Sequence, residues 1–110
     1  MSKKEREVFP FHNIDKLDRY INEPARFVIL TYLYKFKSAE FMELLRNSGL
    51  TQGNLSFHLK KLQDAEFIKV HKEFRNNKPL TTLSLTKNGK KSYDYYSQVV
   101  LEIIQLTQTP

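Results

Sequence analysis

Apolar residues recur three and four positions apart along most of this chain, which is the spacing of amphipathic helices. The strongest example is formed by Leu55, Leu59 and Leu62. Thr51 precedes them, and its hydroxyl can accept a hydrogen bond from a backbone amide in the first turn of a helix. The pattern predicts a helix over about residues 51–65 with one buried apolar face and one polar face.

Three helices are predicted upstream of this one. Ile14, Leu17 and Ile21 indicate a short amphipathic helix that ends near Pro24. Pro24 suits the first turn of the next helix, because a backbone N–H at that position has no partner within the helix. The second helix is expected to stop near residues 35–37. Its predicted buried residues are Phe27, Leu30, Thr31 and Tyr34.

The third upstream helix combines a start signal, an apolar stripe and a stop signal. Ser38 is a common N-cap residue, and Glu40 follows it early in the predicted helix. Gly49 can adopt the left-handed backbone that terminates helices. The predicted buried stripe consists of Phe41, Leu44 and Leu45.

After residue 65 the apolar spacing changes from helical to alternating, which is typical of strands. Ile68, Val70 and Phe74 are in phase in the first alternating segment, and residues 81–85 alternate in the second. The pattern predicts a β-hairpin over about residues 67–85. Its turn-rich tip carries two cations and consists of Arg75, Asn76, Asn77, Lys78 and Pro79.

The last segment predicts a long helix over about residues 87–106, with Thr86 as its N-cap. Its apolar residues exceed what one terminal helix needs to cover a small core, since Val99, Ile104 and Leu106 add to the stripe of Tyr93, Tyr96, Val100 and Ile103. This surplus favours a dimer interface, and the alternative is a helix that folds back on its own core. The residues expected in the interface are Ile14, Leu17, Tyr93, Tyr96, Val100, Ile103 and Ile104.

The order of these elements is that of a winged helix-turn-helix, in which the second helix of the motif is presented to the DNA major groove. The basic hairpin is then the wing. The predicted fold class is mostly α with a small β-hairpin (α+β), with N- and C-terminal dimerisation helices. Residues 1–8 are expected to form a flexible tail and residues 9–110 a single domain, because 110 residues suffice for one core of ordinary size.

Composition excludes several classes of protein. The chain has no cysteine, so it has no disulfide framework and no thiolate metal site, and its three histidines lie far apart. We expect no metal and no cofactor. No apolar run is long enough to cross a bilayer, which favours a cytoplasmic location without membrane contact. No set of nucleophile, base and orienting residue is visible, so we expect no enzyme.

The net charge of +6 is concentrated in one part of the chain. Residues 52–91 contain nine basic and three acidic residues, whereas acidic and basic residues balance in the rest. Excess positive charge that coincides with a candidate recognition helix and wing favours a polyanionic partner, double-stranded DNA in particular. The alternative is a solvated basic surface that keeps the protein soluble.

The candidate DNA-binding residues fall into two chemical groups. Amide and hydroxyl side chains near the helix start can read base edges, and cations further along can hold phosphates. Gly53 would allow close approach to the DNA, and Phe57 either contacts a thymine methyl or is half-buried against the wing. The alternatives for the other residues are helix capping and a solvated charged face. The full set is Thr51, Gln52, Gly53, Asn54, Ser56, Phe57, Lys60, Lys61, Arg75, Asn76, Asn77 and Lys78.

Several short motifs in this order resemble the ArsR/MarR-type winged-helix transcriptional regulators. The resemblance covers residues 23 to about 90 and implies a homodimer that binds duplex DNA. It implies that the helix beginning at Thr51 enters the major groove and that the wing lies on the backbone or in the minor groove. The matching segments are residues 23–26, 29–30, 41–45, 49–56, 58–62, 78–81 and 85–89.

Two positions depart from the family's usual pattern. Glu66 stands where relatives usually carry glycine before the first wing strand, and a left-handed glutamate there costs about 1 kcal/mol more than glycine. The turn is therefore expected to be a point of difference. Phe57 stands where many relatives carry a basic residue, which removes one contact to phosphate or guanine.

Three functions remain open on these residues: a dimeric sequence-specific regulator, a winged-helix protein that binds RNA or bends DNA without sequence preference, and a winged-helix protein-interaction module. The first is favoured by the amides and the second by the charge alone. An unknown small-molecule effector is a further possibility, since five tyrosines could line a pocket between the terminal helices or simply pack the core. These tyrosines are Tyr32, Tyr34, Tyr93, Tyr95 and Tyr96.

Overall fold

A computed structural model describes residue 3 and residues 18–108 of the chain. The part of the predicted first helix that holds Ile14 and Leu17, and nearly all of the predicted tail, lie outside the described residues. The last part of that predicted helix, residues 18–23, forms a turn with Ile21 buried, so the helix prediction is wrong there. The remaining elements form a winged helix with four helices and a three-stranded antiparallel sheet. In chain order they are α1 (Pro24–Phe36), β1 (Ser38–Glu40), α2 (Phe41–Ser48), α3 (Gln52–Asp64), β2 (Ile68–Arg75), β3 (Lys78–Leu85) and α4 (Lys87–Gln105).

Helix α1 begins at Pro24 as predicted, and the Glu23 carboxylate accepts a hydrogen bond from the Arg26 amide at 3.1 Å. Its buried face differs from the predicted one: Leu30 is buried, but Thr31 and Tyr34 are exposed. The prediction of those two positions is wrong because α1 meets the core on one side and α4 on another. Apolar residues therefore surround most of α1, and spacing alone does not identify the inward face. The residues of α1 in the core are Ile29, Leu30 and Leu33.

Strand β1 is not predicted by the sequence pattern. Ser38, expected as an N-cap, lies in this strand, and Glu40 is the N-cap of α2, with its amide donating to the Glu43 carboxylate at 3.4 Å. Ala39 pairs with Leu83 of β3, so three residues of weak strand preference are extended because β3 offers them a partner. The sheet order is β1-β3-β2.

The helix-turn-helix is formed by α2 and α3. Gly49 ends α2 in the left-handed conformation at φ 71°, as predicted. Thr51 is the N-cap of α3, and its hydroxyl accepts a hydrogen bond from the Asn54 amide at 3.1 Å. The predicted stripe of α3 is confirmed: Leu55, Leu59 and Leu62 are all buried in the core.

The wing is a hairpin of β2 and β3 closed by a two-residue turn. Asn76 and Asn77 both have positive φ, 54° and 64°, which matches a type I′ turn and its preference for asparagine. Arg75 pairs with Lys78 on either side of this turn. The second strand begins at Lys78 and so is longer than the predicted segment of residues 81–85.

The link between α3 and the wing keeps a left-handed residue although glycine is absent. Glu66 has φ 63°, and its amide donates to the Gln63 carbonyl at 2.9 Å. The Phe67 amide donates to the Leu62 carbonyl at 3.0 Å, so the two bonds together form a Schellman motif. The expected difference at this turn is therefore absent, because buried Phe67 and the hydrogen bonds hold Glu66 in place.

Replacing Glu66 with glycine is expected to raise the free energy of unfolding by about 1 kcal/mol, because glycine adopts positive φ without steric cost. The matched control is Ala65→Gly, whose backbone is right-handed at φ −77°. That change should lower stability by about 0.5–1 kcal/mol. Urea denaturation of both variants measures the difference, and a loss of stability in Glu66→Gly would contradict the assigned strain.

Helix α4 begins after Thr86, whose hydroxyl accepts from the Gly89 amide at 2.8 Å, as predicted. The same hydroxyl donates to the Glu66 carbonyl at 2.7 Å, which fixes the start of α4 to the turn that follows α3. Further along, Tyr96 and Val99 are buried. The sequence pattern assigns Val99 to the surplus outer surface, but this side chain packs inside the protomer.

Side-chain hydrogen bonds join α4 to the first part of the chain. The Tyr96 hydroxyl donates to Asn22 Oδ1 at 2.9 Å. On the outer side of α1, the hydroxyls of Thr31 and Tyr93 are 2.8 Å apart. These hydrogen bonds use residues that the apolar spacing assigns to other surfaces. None of the described helices is long and apolar enough to span a membrane.

Candidate nucleic-acid interface

The polar face of α3 points away from the core along its whole length. We call this surface the recognition face. Every one of its residues is exposed, which follows from the burial of Leu55, Leu59 and Leu62 on the opposite side. The recognition face consists of Gln52, Gly53, Asn54, Ser56, Phe57, Lys60 and Lys61.

Near the start of the recognition face, two side-chain amides have no hydrogen-bond partner among residues 18–108. Thr51 supplies the cap of α3, so Asn54 is not needed for capping. Among residues 18–108, the side-chain amides of Gln52 and Asn54 make no hydrogen bond. The donors and acceptors of both side chains are thus available to an external partner.

Phe57 lies on the surface rather than against the wing. Its side chain is 56% exposed, and its ring meets the edge of the His58 ring at a centroid distance of 5.5 Å. Lys61 Nζ lies 5.4 Å from the Phe57 ring centroid. The alternative of a half-buried Phe57 is therefore wrong, and the aromatic ring and the ammonium group form one exposed pair.

Two of the predicted phosphate-binding cations have exposed acidic partners. Lys60 Nζ is 2.7 Å from Asp64 Oδ1, and Arg75 Nη2 is 3.2 Å from Glu73 Oε1. Exposed ion pairs of this kind contribute about 0–1 kcal/mol. They are therefore weak enough for both cations to exchange a carboxylate for a phosphate.

A groove of about 430 Å³ separates α3 from the wing. Ser56 and Lys60 line it from the helix side, and Lys72 and Thr81 line it from the wing. Lys72 and Thr81 are directly paired across the hairpin, on the face that carries Val70 further inward. The groove is thus polar and basic at its opening and apolar at its base. Its other lining residues are Phe41, Gln52, Leu59, Gln63, Val70 and Leu83.

Sequence reasoning missed Lys72 and Thr81 as members of this surface. The two-residue turn at Asn76 and Asn77 sets the register and so places Lys72 opposite Thr81, but their position beside α3 depends on how the wing packs. Lys78, which was predicted, lies at the tip of the wing and is exposed. The groove thus brings Ser56 and Lys60 of the helix together with Lys72 and Thr81 of the wing, whereas Lys61, Arg75 and Lys78 do not line it.

His58 is a structural residue. Its side chain is 14% exposed, and its Nδ1 lies 3.3 Å from Arg26 Nη1 and 3.6 Å from Glu23 Oε2. Arg26 also donates from Nε to the Tyr20 carbonyl at 2.6 Å. The cluster holds α3 against the first turn of α1. His71 is exposed on the wing.

Among residues 18–108, Tyr32, Tyr34 and Tyr95 line three different clefts. The hydrogen bond from Tyr32 to the Glu43 carboxylate raises the pKa of Tyr32, and the bond from Tyr34 to Asp94 at 2.6 Å raises the pKa of Tyr34. Burial raises the pKa of Tyr96. Tyr32 lines a separate apolar cleft of about 350 Å³ beside Val28. These partners and separate clefts favour the other alternative, in which the tyrosines pack within the fold.

In the part of the chain from residue 18 to residue 108, no group of three or more His, Asp or Glu side chains could hold a metal ion. The chemistry of this surface is therefore that of amides, hydroxyls, ammonium groups and one aromatic ring.

The family model for winged helix DNA-binding domains matches residues 25–104, which include the whole recognition face and the wing. The chain belongs to the winged helix DNA-binding domain family. Members of this family bind nucleic acid through the fold and are not enzymes. The chain is also 32% identical over 90 residues to an uncharacterized protein of Methanocaldococcus jannaschii, covering 82% of this chain and 95% of that protein.

Solved structures of transcriptional regulators share the winged helix fold of this chain. A transcriptional regulator homologue from Pyrococcus horikoshii OT3 superposes with a TM-score of 0.77 at 20% identity, covering 98% of this chain and 100% of that chain. A regulator of the MarR family from Enterococcus faecalis V583 superposes with a TM-score of 0.70 at 19% identity, covering 98% of this chain and 91% of that chain. At these identities, the likeness is one of fold alone.

Proposed function

We propose that this winged helix protein is a dimeric transcriptional regulator that binds duplex DNA sequence-specifically and acts in the cytoplasm. The observation that carries the proposal is the recognition face, where exposed amides near the start of α3 are followed by exposed cations. Amides read base edges and cations hold phosphates, so this one helix carries both halves of sequence-specific binding.

The groove beside α3 supports the same function. With α3 in the major groove, the adjacent sugar-phosphate strand passes between the helix and the wing. Lys60 from the helix and Lys72 from the wing approach that strand from opposite sides. The wing tip then reaches the neighbouring minor groove with Arg75 and Lys78, whose charges favour a negatively charged surface.

The end of α4 supports a homodimer. The helix buries no residue after Val99, although most of its last six residues are apolar. Leu101 is 53% exposed and Ile104 is 50% exposed. Tyr96 is already buried in its own protomer, so we expect the interface to centre on the last two turns. A two-fold dimer would place two α3 helices about 34–36 Å apart, in successive turns of the major groove.

Selection from a random duplex-DNA pool, followed by sequencing of the bound fraction, tests sequence specificity. We expect an enriched near-palindrome. Asn54→Ala should abolish enrichment at the bases that it reads, because each bidentate amide–base pair contributes about 1–3 kcal/mol of discrimination. The matched control Lys61→Ala should weaken all sequences alike and reduce the salt slope by about 0.9 for each phosphate that the lysine neutralises.

The other outcomes separate the remaining functions. Binding that falls with salt but enriches no sequence would mean a non-specific or RNA-directed protein. No binding to duplex or single-stranded nucleic acid at low salt would leave a protein-interaction module. Both substituted residues are exposed, so circular dichroism should show unchanged folding in each variant.

A further inference from the structure

Phe74 is the most exposed large apolar side chain among the described residues, at 78%. It lies in β2 next to the turn and pairs across the hairpin with Pro79 of β3. Pro79 is also exposed. The end of the wing therefore presents two neighbouring apolar rings to solvent.

Packing in the core does not explain why these two positions carry a phenylalanine and a proline. Phe74 lies on the same face of β2 as Ile68, which is buried, and Val70, which is half-buried. Lys72, between Val70 and Phe74 on that face, is already exposed, so the core does not extend to Phe74. No aromatic contact of Phe74 occurs among residues 18–108. Pro79 lacks the N–H that a ladder position normally supplies, so its place in β3 adds no hydrogen bond from its nitrogen.

Three cations lie near the two rings, and one of them, Arg75, is paired with the Glu73 carboxylate at 3.2 Å. Arg75 and Lys78 form the next pair toward the turn, and Lys72 lies further inward on the same face as Phe74. An apolar surface framed by cations is complementary to a DNA groove, which has phosphates at its rims and apolar sugar and base edges inside. It is poorly matched to an apolar protein surface, where three cations would have to lose water.

The orientation of Phe74 agrees with this partner. The hairpin face that carries Phe74 and Pro79 is the one that carries Lys72 and Thr81, and these two residues line the groove beside α3. A DNA strand in that groove would therefore bring the next minor groove toward the exposed rings. Proteins that bend DNA from the minor groove commonly insert phenylalanine or proline between base steps.

We propose that Phe74, supported by Pro79, is an apolar wedge that enters the minor groove, partly unstacks a base step and bends the bound DNA. Arg75, Lys78 and Lys72 hold the phosphates on either side. The proposal rests on the proposed DNA-binding function, and it adds a deformation step. It predicts a preference for pyrimidine–purine steps under the wing, because these steps unstack most easily.

The test measures fluorescence energy transfer between labels at the two ends of a duplex about 30 base pairs long. The duplex carries the sequence enriched in the selection experiment. If no sequence is enriched, a duplex of random sequence is used. Wild-type protein should raise the transfer efficiency by bending the duplex by about 20–90°. Phe74→Ala should bring transfer close to that of free DNA, whereas Phe74→Leu should retain most of the bend. A 2-aminopurine base at the step under the wing should brighten with wild type and stay quenched with Phe74→Ala.

The matched control is Lys61→Ala, which removes an exposed cation of α3 that has no part in the wedge. It should weaken binding and lower the salt slope, yet leave the bend unchanged at saturating protein. Binding without a bend by wild type, or an equal bend by Phe74→Ala, would overturn the wedge while DNA binding stands. A wild-type protein that binds no DNA would overturn the proposed function and the wedge together.

Discussion

Gly89→Ala is expected to lower the free energy of unfolding by about 3 kcal/mol, the upper part of the usual range for overpacking. A methyl group on Gly89 would overlap the Phe67 carbonyl oxygen and lie 2.8 Å from its carbon. It would also lie 2.9 Å from Leu85 Cδ1. Since two of these atoms belong to the backbone, the clash cannot be relieved by a rotamer change. Thermal unfolding measures the destabilisation, at about 4–8 °C per kcal/mol.

Gly53→Ala is the matched control, because it introduces the same methyl group into another helix. Nothing lies within 4 Å of a methyl group on Gly53, so alanine should stabilise α3 by up to about 1 kcal/mol. The two substitutions should therefore change stability in opposite directions. Equal melting temperatures for Gly89→Ala and wild type would show that α4 does not approach Phe67 as closely as described.

Gly53→Ala also tests the close approach of α3 to DNA. The substitution adds a methyl group to the exposed recognition face without disturbing the protein. If Gly53 faces the DNA backbone, the variant should be more stable and yet bind DNA less tightly. Unchanged affinity would mean that Gly53 does not lie close to the DNA.

The elements that the sequence predicts correctly have their cause in nearby residues. The stripe of α3 depends on three leucines and a threonine cap within twelve positions of the chain. The hairpin depends on Asn76 and Asn77, which tolerate the left-handed backbone of its turn. In both cases the local preference and the final packing agree, so the pattern identifies the structure.

The elements that the sequence does not predict have their cause in distant residues. Strand β1 exists because β3 pairs with it, and Gly89 is required because Phe67 lies against it. The exposure of Phe74 has the same explanation, because its alternation with Val70 indicates burial while the core ends before the wing tip. Spacing along the chain predicts which residues share a face, but the size of the core determines how far along that face burial extends.

The candidate DNA-binding surface divides in the same way. Its helix residues can be identified from sequence, since burial of the leucines leaves the amides and cations outside. The contribution of Lys72 was missed, because it depends on the wing folding back beside α3. The weak pairing of Lys60 with Asp64 also follows from the helix itself, where residues four positions apart are neighbours.

Leu101→Glu combined with Ile104→Glu is expected to convert the proposed dimer into a monomer. A two-fold interface over these positions would bury the added carboxylates of both protomers in one shared surface, so desolvation and like-charge repulsion both oppose association. Both side chains are at least half exposed in the protomer, so the fold itself should persist. Sedimentation equilibrium measures the change, and the control pair Leu101→Met with Ile104→Leu should remain dimeric because it keeps the apolar surface.

Dissociation of the dimer should have a large and specific effect on DNA binding. Two linked half-sites typically gain about 10²- to 10⁴-fold in affinity over one, and the glutamate variant should lack that gain. Because the added carboxylates also weaken attraction to DNA in general, the quantity to compare is the ratio of full-site to half-site affinity. For the glutamate variant, this ratio should fall to the value expected when each half-site is bound independently. For the control pair, it should stay at the wild-type value. A glutamate variant that sediments as a monomer and keeps the wild-type ratio would mean that the protein reads DNA one copy at a time.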